Sequence, residues 1–82
     1  MENRTRSKAR IAIIPSALRA ARLRKFWEPE DLAKAASVGV GTIKAAEGRE
    51  KTVHLSTARR LADALGCEPS DIARVKTEEE VA

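Results

Sequence analysis

The chain has 82 residues, with sixteen Lys and Arg against twelve Asp and Glu, for a formal net charge of +4. That length supports one small domain with a thin core, and 43% apolar content argues against wholesale disorder. A single Cys excludes a disulfide framework within one chain and a four-thiolate zinc site, and one His with no Tyr leaves little acid–base chemistry near neutral pH, which disfavours an enzyme.

The charge is unevenly placed. Residues 1–25 carry Arg4, Arg6, Lys8, Arg10, Arg19, Arg22, Arg24 and Lys25 against Glu2 alone, a net +7, while the remainder is net −3. A basic first third suits a polyanion, because each Lys or Arg that neutralises a phosphate releases a counterion. A solvated basic face that keeps the domain soluble is the alternative. No run approaches about eighteen apolar residues, and no apolar stretch with a small-residue cleavage site follows the charged N-terminus. The expected setting is therefore the cytoplasm, away from membranes, with Cys67 reduced.

Taken in chain order, residues 1–14 read as a flexible basic arm, the first ten without a regular apolar repeat. A first helix is expected after Pro15-Ser16, with Ser16 as its N-cap and Leu18, Ala21, Arg22 and Lys25 on one side. A second starts at Pro29, where a missing N–H costs nothing, with Glu30 and Asp31 complementing the positive end of the dipole. Its apolar face is Leu32, Ala33 and Ala36, and Ser37-Val38-Gly39 forms a turn. A third helix runs from about Val40 to Glu47 and buries Ile43 and Ala46, followed by a polar loop over residues 48–52. The fourth spans Leu55 to Leu65, with Leu55, Ala58, Leu61, Ala62 and Leu65 at helical spacing, and Gly66 stops it. A fifth begins at Pro69, where Glu68-Pro69-Ser70-Asp71 repeats the start chemistry of Glu28-Pro29-Glu30-Asp31. Residues 76–82, with Glu78-Glu79-Glu80, read as an acidic tail. Period-2 alternation is nowhere sustained, so the fold class is all-α, a compact bundle of five helices.

The second and third helices and their three-residue turn are the informative unit. Ala33 is small where the helices touch, and Val38 and Ile43 supply apolar plugs. That arrangement presents one helix outward, where it can enter a major groove about 12 Å wide. The ordered set Leu18-Arg19-Ala20-Ala21-Arg22-Leu23-Arg24-Lys25-Phe26-Trp27, Glu30-Asp31-Leu32-Ala33, Val38-Gly39, Thr42-Ile43-Lys44, Glu47-Gly48 and Leu61-Ala62-Asp63-Ala64-Leu65-Gly66 resembles the Cro/phage-repressor (XRE-type) helix-turn-helix family. The resemblance spans roughly residues 16–74 and implies a lambda-repressor-like domain over residues 15–75.

It also implies a structural ion pair between Arg22 and Glu47, and a homodimer on a pseudo-palindromic DNA site. The base-reading positions of that family fall on Val40, Gly41 and Ala45, and the usual Gln at the start of its second helix falls on Pro29. None of these side chains has a donor or acceptor, although Val40 and Ala45 could touch a thymine methyl. Thr42 and Lys44 are the polar groups left on the helix. Phosphate contacts are therefore expected to dominate, through Lys44, Arg49, Lys51 and the arm bases Arg4, Arg6, Lys8 and Arg10. The arm could instead enter a minor groove, or be only a solubilising tail. Ser37 stands where the turn commonly has Gly.

Other residues have plain explanations. His54 reads as a solvent-facing helix-start residue, with no partners for a metal, and Cys67 as a small packing residue. Phe26 and Trp27 read as buried, with contact to a partner as the alternative. Glu28, Glu30 and Asp31 read as first-turn acids. The sequence therefore reads as a transcriptional regulator, a repressor on double-stranded DNA, needing no cofactor or metal. The alternative is a protein-interaction module on the same scaffold, binding a toxin or a repressor antagonist.

Overall fold

The computed structural model describes residues 10–49 and 51–77. In chain order they form β1 (Arg10–Ile13), α1 (Pro15–Arg24), α2 (Pro29–Ala36), α3 (Val40–Gly48), β2 (Lys51–Val53), α4 (Leu55–Leu65), α5 (Pro69–Ile72) and β3 (Ala73–Thr77). The five helices stand where the apolar spacing predicts them. α4 has the expected limits, and α3 runs one residue further, to Gly48.

The fold is nevertheless not all-α. The strands form one antiparallel sheet in the order β2-β1-β3, with Ile11 opposite both Val53 and Val75, and Ile13 opposite both Lys51 and Ala73. Three sequence expectations are corrected by it. Arg10–Ile13 is the central strand and no part of a flexible arm, Lys51–Val53 is a strand that takes the last two residues of the expected polar loop and runs one residue past it, and β3 extends to Thr77, inside the expected tail. These strands are too short to show an alternating pattern. In β1, moreover, Ile11, Ala12 and Ile13 are all buried, so no polar residue marks an outer face.

The entry into α1 also differs from expectation. The residue before a proline is held extended, and here that residue is Ile14 (φ −89°, ψ 109°), which serves as N-cap; Pro15 takes the first helical position and Ser16 lies inside the helix. The Ile14 N–H donates to the Ile72 carbonyl at 2.8 Å, fixing the strand-to-helix junction against α5. At α2 and α5 the repeated start chemistry closes in the same way, Asp31 accepting the Glu28 N–H at 2.8 Å and Asp71 the Glu68 N–H at 3.0 Å.

The core has a simple composition. Its six largest fully buried side chains are Ile13, Leu18, Leu32, Ile43, Leu61 and Ile72, one each from β1, α1, α2, α3, α4 and α5. At roughly 1.5–3 kcal/mol for each such side chain, no element is stable without the others in a domain this thin. Leu55, expected on the apolar face of α4, is instead 42% exposed.

Because Ile13 belongs to this core, Ile13→Ala is expected to cost about 2–5 kcal/mol. Thermal unfolding checks this: a midpoint lower by roughly 8 °C or more marks the central strand, whereas an arm residue would leave it unchanged.

Candidate nucleic-acid interface

The position of α3 is set by a charged clamp. Arg22, near the end of α1, donates from Nε to Glu47 Oε2 at 2.6 Å and from Nη2 to Glu47 Oε1 at 2.7 Å. Its Nη1 donates to the Trp27 carbonyl at 2.6 Å, which ties the α1–α2 turn to the same group. The two side chains are only 8% and 10% exposed. The Glu47 hydrogen bond raises the Arg22 pKa above its ordinary value, against the opposing effect of burial. The expected ion pair is thus present, as a bidentate contact.

The turn before α3 depends on backbone geometry. Ser37 closes α2 in the left-handed region (φ 58°, ψ 46°) without the freedom of a glycine, so the turn accepts a modest strain. The Val38 N–H returns to the Ala33 carbonyl at 3.0 Å, and Val38 packs on the core. From α4, Arg60 Nη1 donates to the Ser37 carbonyl at 3.2 Å, placing a cation at the C-terminal end of α2. A sequence reading has no signal for this contact, because it joins residues distant along the chain.

With Ile43, Ala46 and Glu47 turned inward, the outward stripe of α3 is Gly41, Lys44, Ala45 and Gly48, all exposed. Lys44 is the one long side chain on a face otherwise made of small residues. Its Nζ lies 3.8 Å from Glu30 Oε2 on α2, an exposed pair with side chains 61% and 64% accessible. Such a pair contributes little to stability but holds a carboxylate beside the cation.

The remaining expected contacts divide. Val40 packs partly against the core, which leaves less of it for a base edge than expected. Thr42 lines a concavity of about 360 Å³ beside the turn, together with Lys51, Thr52, His54, Thr57 and Arg60. No acidic side chain lines it, and its hydroxyls and cations suit a phosphate oxygen. Thr52, Thr57 and Arg60 were not among the residues expected from sequence, since α3, β2 and α4 bring them together only in the folded chain. Arg49 is exposed just after α3. Arg10 is exposed at the start of β1; the sheet packs mainly on α4 and α5, whereas α3 packs on α1 and α2, so Arg10 does not join the α3 stripe. Arg4, Arg6 and Lys8 lie outside the described residues.

The two aromatic residues part company. Trp27 is half-buried against the core, with Lys25 Nζ 5.2 Å from its ring centroid. Phe26, expected to be buried, is 94% exposed and has a positive φ of 58°. Cys67 packs against the core, and burial pushes its thiol pKa up, which keeps the reactive thiolate scarce. Among the described residues no group of three or more His, Cys, Asp or Glu could hold a metal ion, and no helix is long and apolar enough to cross a membrane.

Two short helices joined by a tight turn, the second clamped outward with small residues and a lysine on its free face, define a helix-turn-helix domain of the DNA-binding class. The family model for the Cro/C1-type helix-turn-helix DNA-binding domain matches residues 18–78, and the chain belongs to that family. No curated protein and no solved structure matches the chain.

Removing one partner of the clamp strands the other as a buried charge, so Glu47→Ala is expected to cost about 3–5 kcal/mol. Thermal melting tests the assignment: a midpoint within a degree or two of wild type would rule out a structural role for the pair.

Proposed function

We propose that this protein is a transcriptional regulator that binds specific DNA sites as a homodimer and represses by occupying them. In this reading α3 lies in the major groove, and the concavity beside Thr42 and Lys51 receives a backbone phosphate. The observation that carries it is the clamped, outward stripe of α3, small-surfaced apart from Lys44 and followed by Arg49 and Lys51. Arg4 and Arg6, in the basic segment before β1, would add contacts to the backbone or to a minor groove. Two recognition helices related by a two-fold axis would address half-sites about one helical turn apart. No cofactor is required for such binding, and the cytoplasm is the natural compartment for it.

Specificity would come mostly from shape. Gly41 and Ala45 offer no bidentate donor pair for G or A, so thymine methyl contacts and sequence-dependent groove width would carry the discrimination. Capture of genomic duplex fragments at two salt concentrations, followed by sequencing, tests the proposal. The expected outcome is a small set of sites that survives the higher salt, with a log–log salt slope near −5 for a dimer neutralising about six phosphates. Absence of any enriched site would overturn it.

A second reading, a protein-interaction module for a toxin or an antagonist, is favoured by the exposed Phe26 and the neighbouring Leu23, which is 48% exposed. Apolar contact of that kind would show little salt dependence, so the same titration separates the two.

The contact between Glu30 and Lys44 gives a sharper test. Glu30→Gln removes a carboxylate that competes with phosphate for Lys44, and is expected to tighten DNA binding several-fold at low salt. Lys44→Ala is expected to weaken binding across all sequences and to reduce the salt slope by about one for each α3 engaged. Fluorescence anisotropy with duplex DNA reads both, and equal affinities for wild type and both variants would remove Lys44 from the interface.

A further inference from the structure

The concavity beside the α2–α3 turn contains a titratable group that the function proposed above does not use. Lys51 comes to it from β2 and Arg60 from α4, with His54 at the junction of those two elements. α3 contributes Thr42 to the lining and the turn contributes Ser37 and Val38, so neither adds a charge. Lys34 of α2, Lys44 and Glu47 of α3, and Arg59 and Asp63 of α4 do not border it. The ion pairs Arg22–Glu47 and Lys44–Glu30 leave out Lys51 and His54. His54 is the N-cap of α4 but makes no side-chain capping bond, so its own helix does not hold the imidazole. Arg60 spends Nη1 on the Ser37 carbonyl, and a guanidinium has four further N–H donors.

Histidine changes its charge between about pH 5 and 8. A neutral ring brings this space one donor and no charge, whereas an imidazolium brings two donors and a third cation. Three cations around one space repel each other while it is empty of anions, and a phosphate oxyanion set among them turns that repulsion into attraction. We infer that His54 binds phosphate in its protonated form, which makes the concavity a proton-linked phosphate site. The ligand chemistry is a phosphate oxyanion, held in a duplex backbone or free in solution. Where the phosphate belongs to DNA, which rests on the function proposed above, the backbone grip tightens as pH falls through the histidine range and loosens as it rises. Phosphodiester oxygens stay ionised throughout that range, and the chain has a single His, so the dependence is traceable to one ring.

Two measurements on the full chain test the inference. Fluorescence anisotropy with a mixed-sequence duplex at constant ionic strength is expected to show wild type binding about fivefold or more tighter at pH 6 than at pH 8. The salt slope should be steeper at pH 6 by about one for each copy engaged. His54→Gln is expected to bind at both pH values as wild type does at pH 8, and His54→Arg at both as wild type does at pH 6. Tight binding by the Arg variant also shows that the position accepts substitution. A wild-type ratio near one, or a Gln variant as pH-dependent as wild type, would overturn the proton link. The second measurement follows the NMR signal of the His54 ring proton Hε1 through pH in chloride, in inorganic phosphate and with duplex DNA, at equal ionic strength. The ring is expected to stay protonated to higher pH in phosphate and with duplex than in chloride. The same retention in phosphate, from a wild type that binds no duplex at either pH, would sustain the site and overturn the DNA reading. Coincident curves in all three would overturn the site, whether or not the protein binds DNA.

Discussion

The Arg22 guanidinium does three things at once: it holds Glu47 through two hydrogen bonds, accepts burial beside it, and donates to the Trp27 carbonyl. Three elements meet there, α1 through Arg22, α3 through Glu47 and the α1–α2 turn through Trp27. A domain with six large core side chains has little apolar surplus with which to fix the tilt of a nine-residue helix. A directional, planar contact does this better than another methyl group, because bidentate geometry constrains angle as well as distance. The outward face of α3 therefore depends on a contact made at its inner face.

That dependence frees the outer face from structural duty. A side-chain carbon added at Gly41 or Gly48 would meet no atom within 4 Å, so neither glycine is required by packing. Glycines inside a helix cost stability relative to alanine, about 0.5–1 kcal/mol each. The domain carries that cost on α3, together with left-handed backbone at Ser37 in the turn that precedes it. Concentration of unfavourable local choices at a proposed interface, beside a tightly satisfied interior, is what a site shaped for contact would show.

Much of the helical framework was legible in the sequence. Leu61, Ala62 and Leu65 mark α4, Pro29 and Asp31 mark the start of α2, and Gly66 marks the left-handed end of α4 with φ 71°. The Arg22–Glu47 pair followed from the family resemblance. Phe26 was misread because a lone aromatic residue is usually buried, and nothing in the sequence announces a left-handed residue with an exposed ring. Leu55 was misread for a related reason: its spacing fits the apolar face, but it stands at the first position of α4, beside an open groove where no other element covers it.

Helices are closed by hydrogen bonds within one segment, so spacing along the chain determined where the five helices lie, where the turn falls and which of their faces turn inward. Strands of three to five residues have partners far away in the chain and no internal bonds of their own. Only the tertiary structure could make Arg10–Ile13 the centre of a sheet, leave β3 on its outside, and collect Thr42, Lys51, Thr57 and Arg60 around one concavity. The physical difference is range: the helical pattern is local, and the sheet and the site are made by contacts that exist only once the helices have packed.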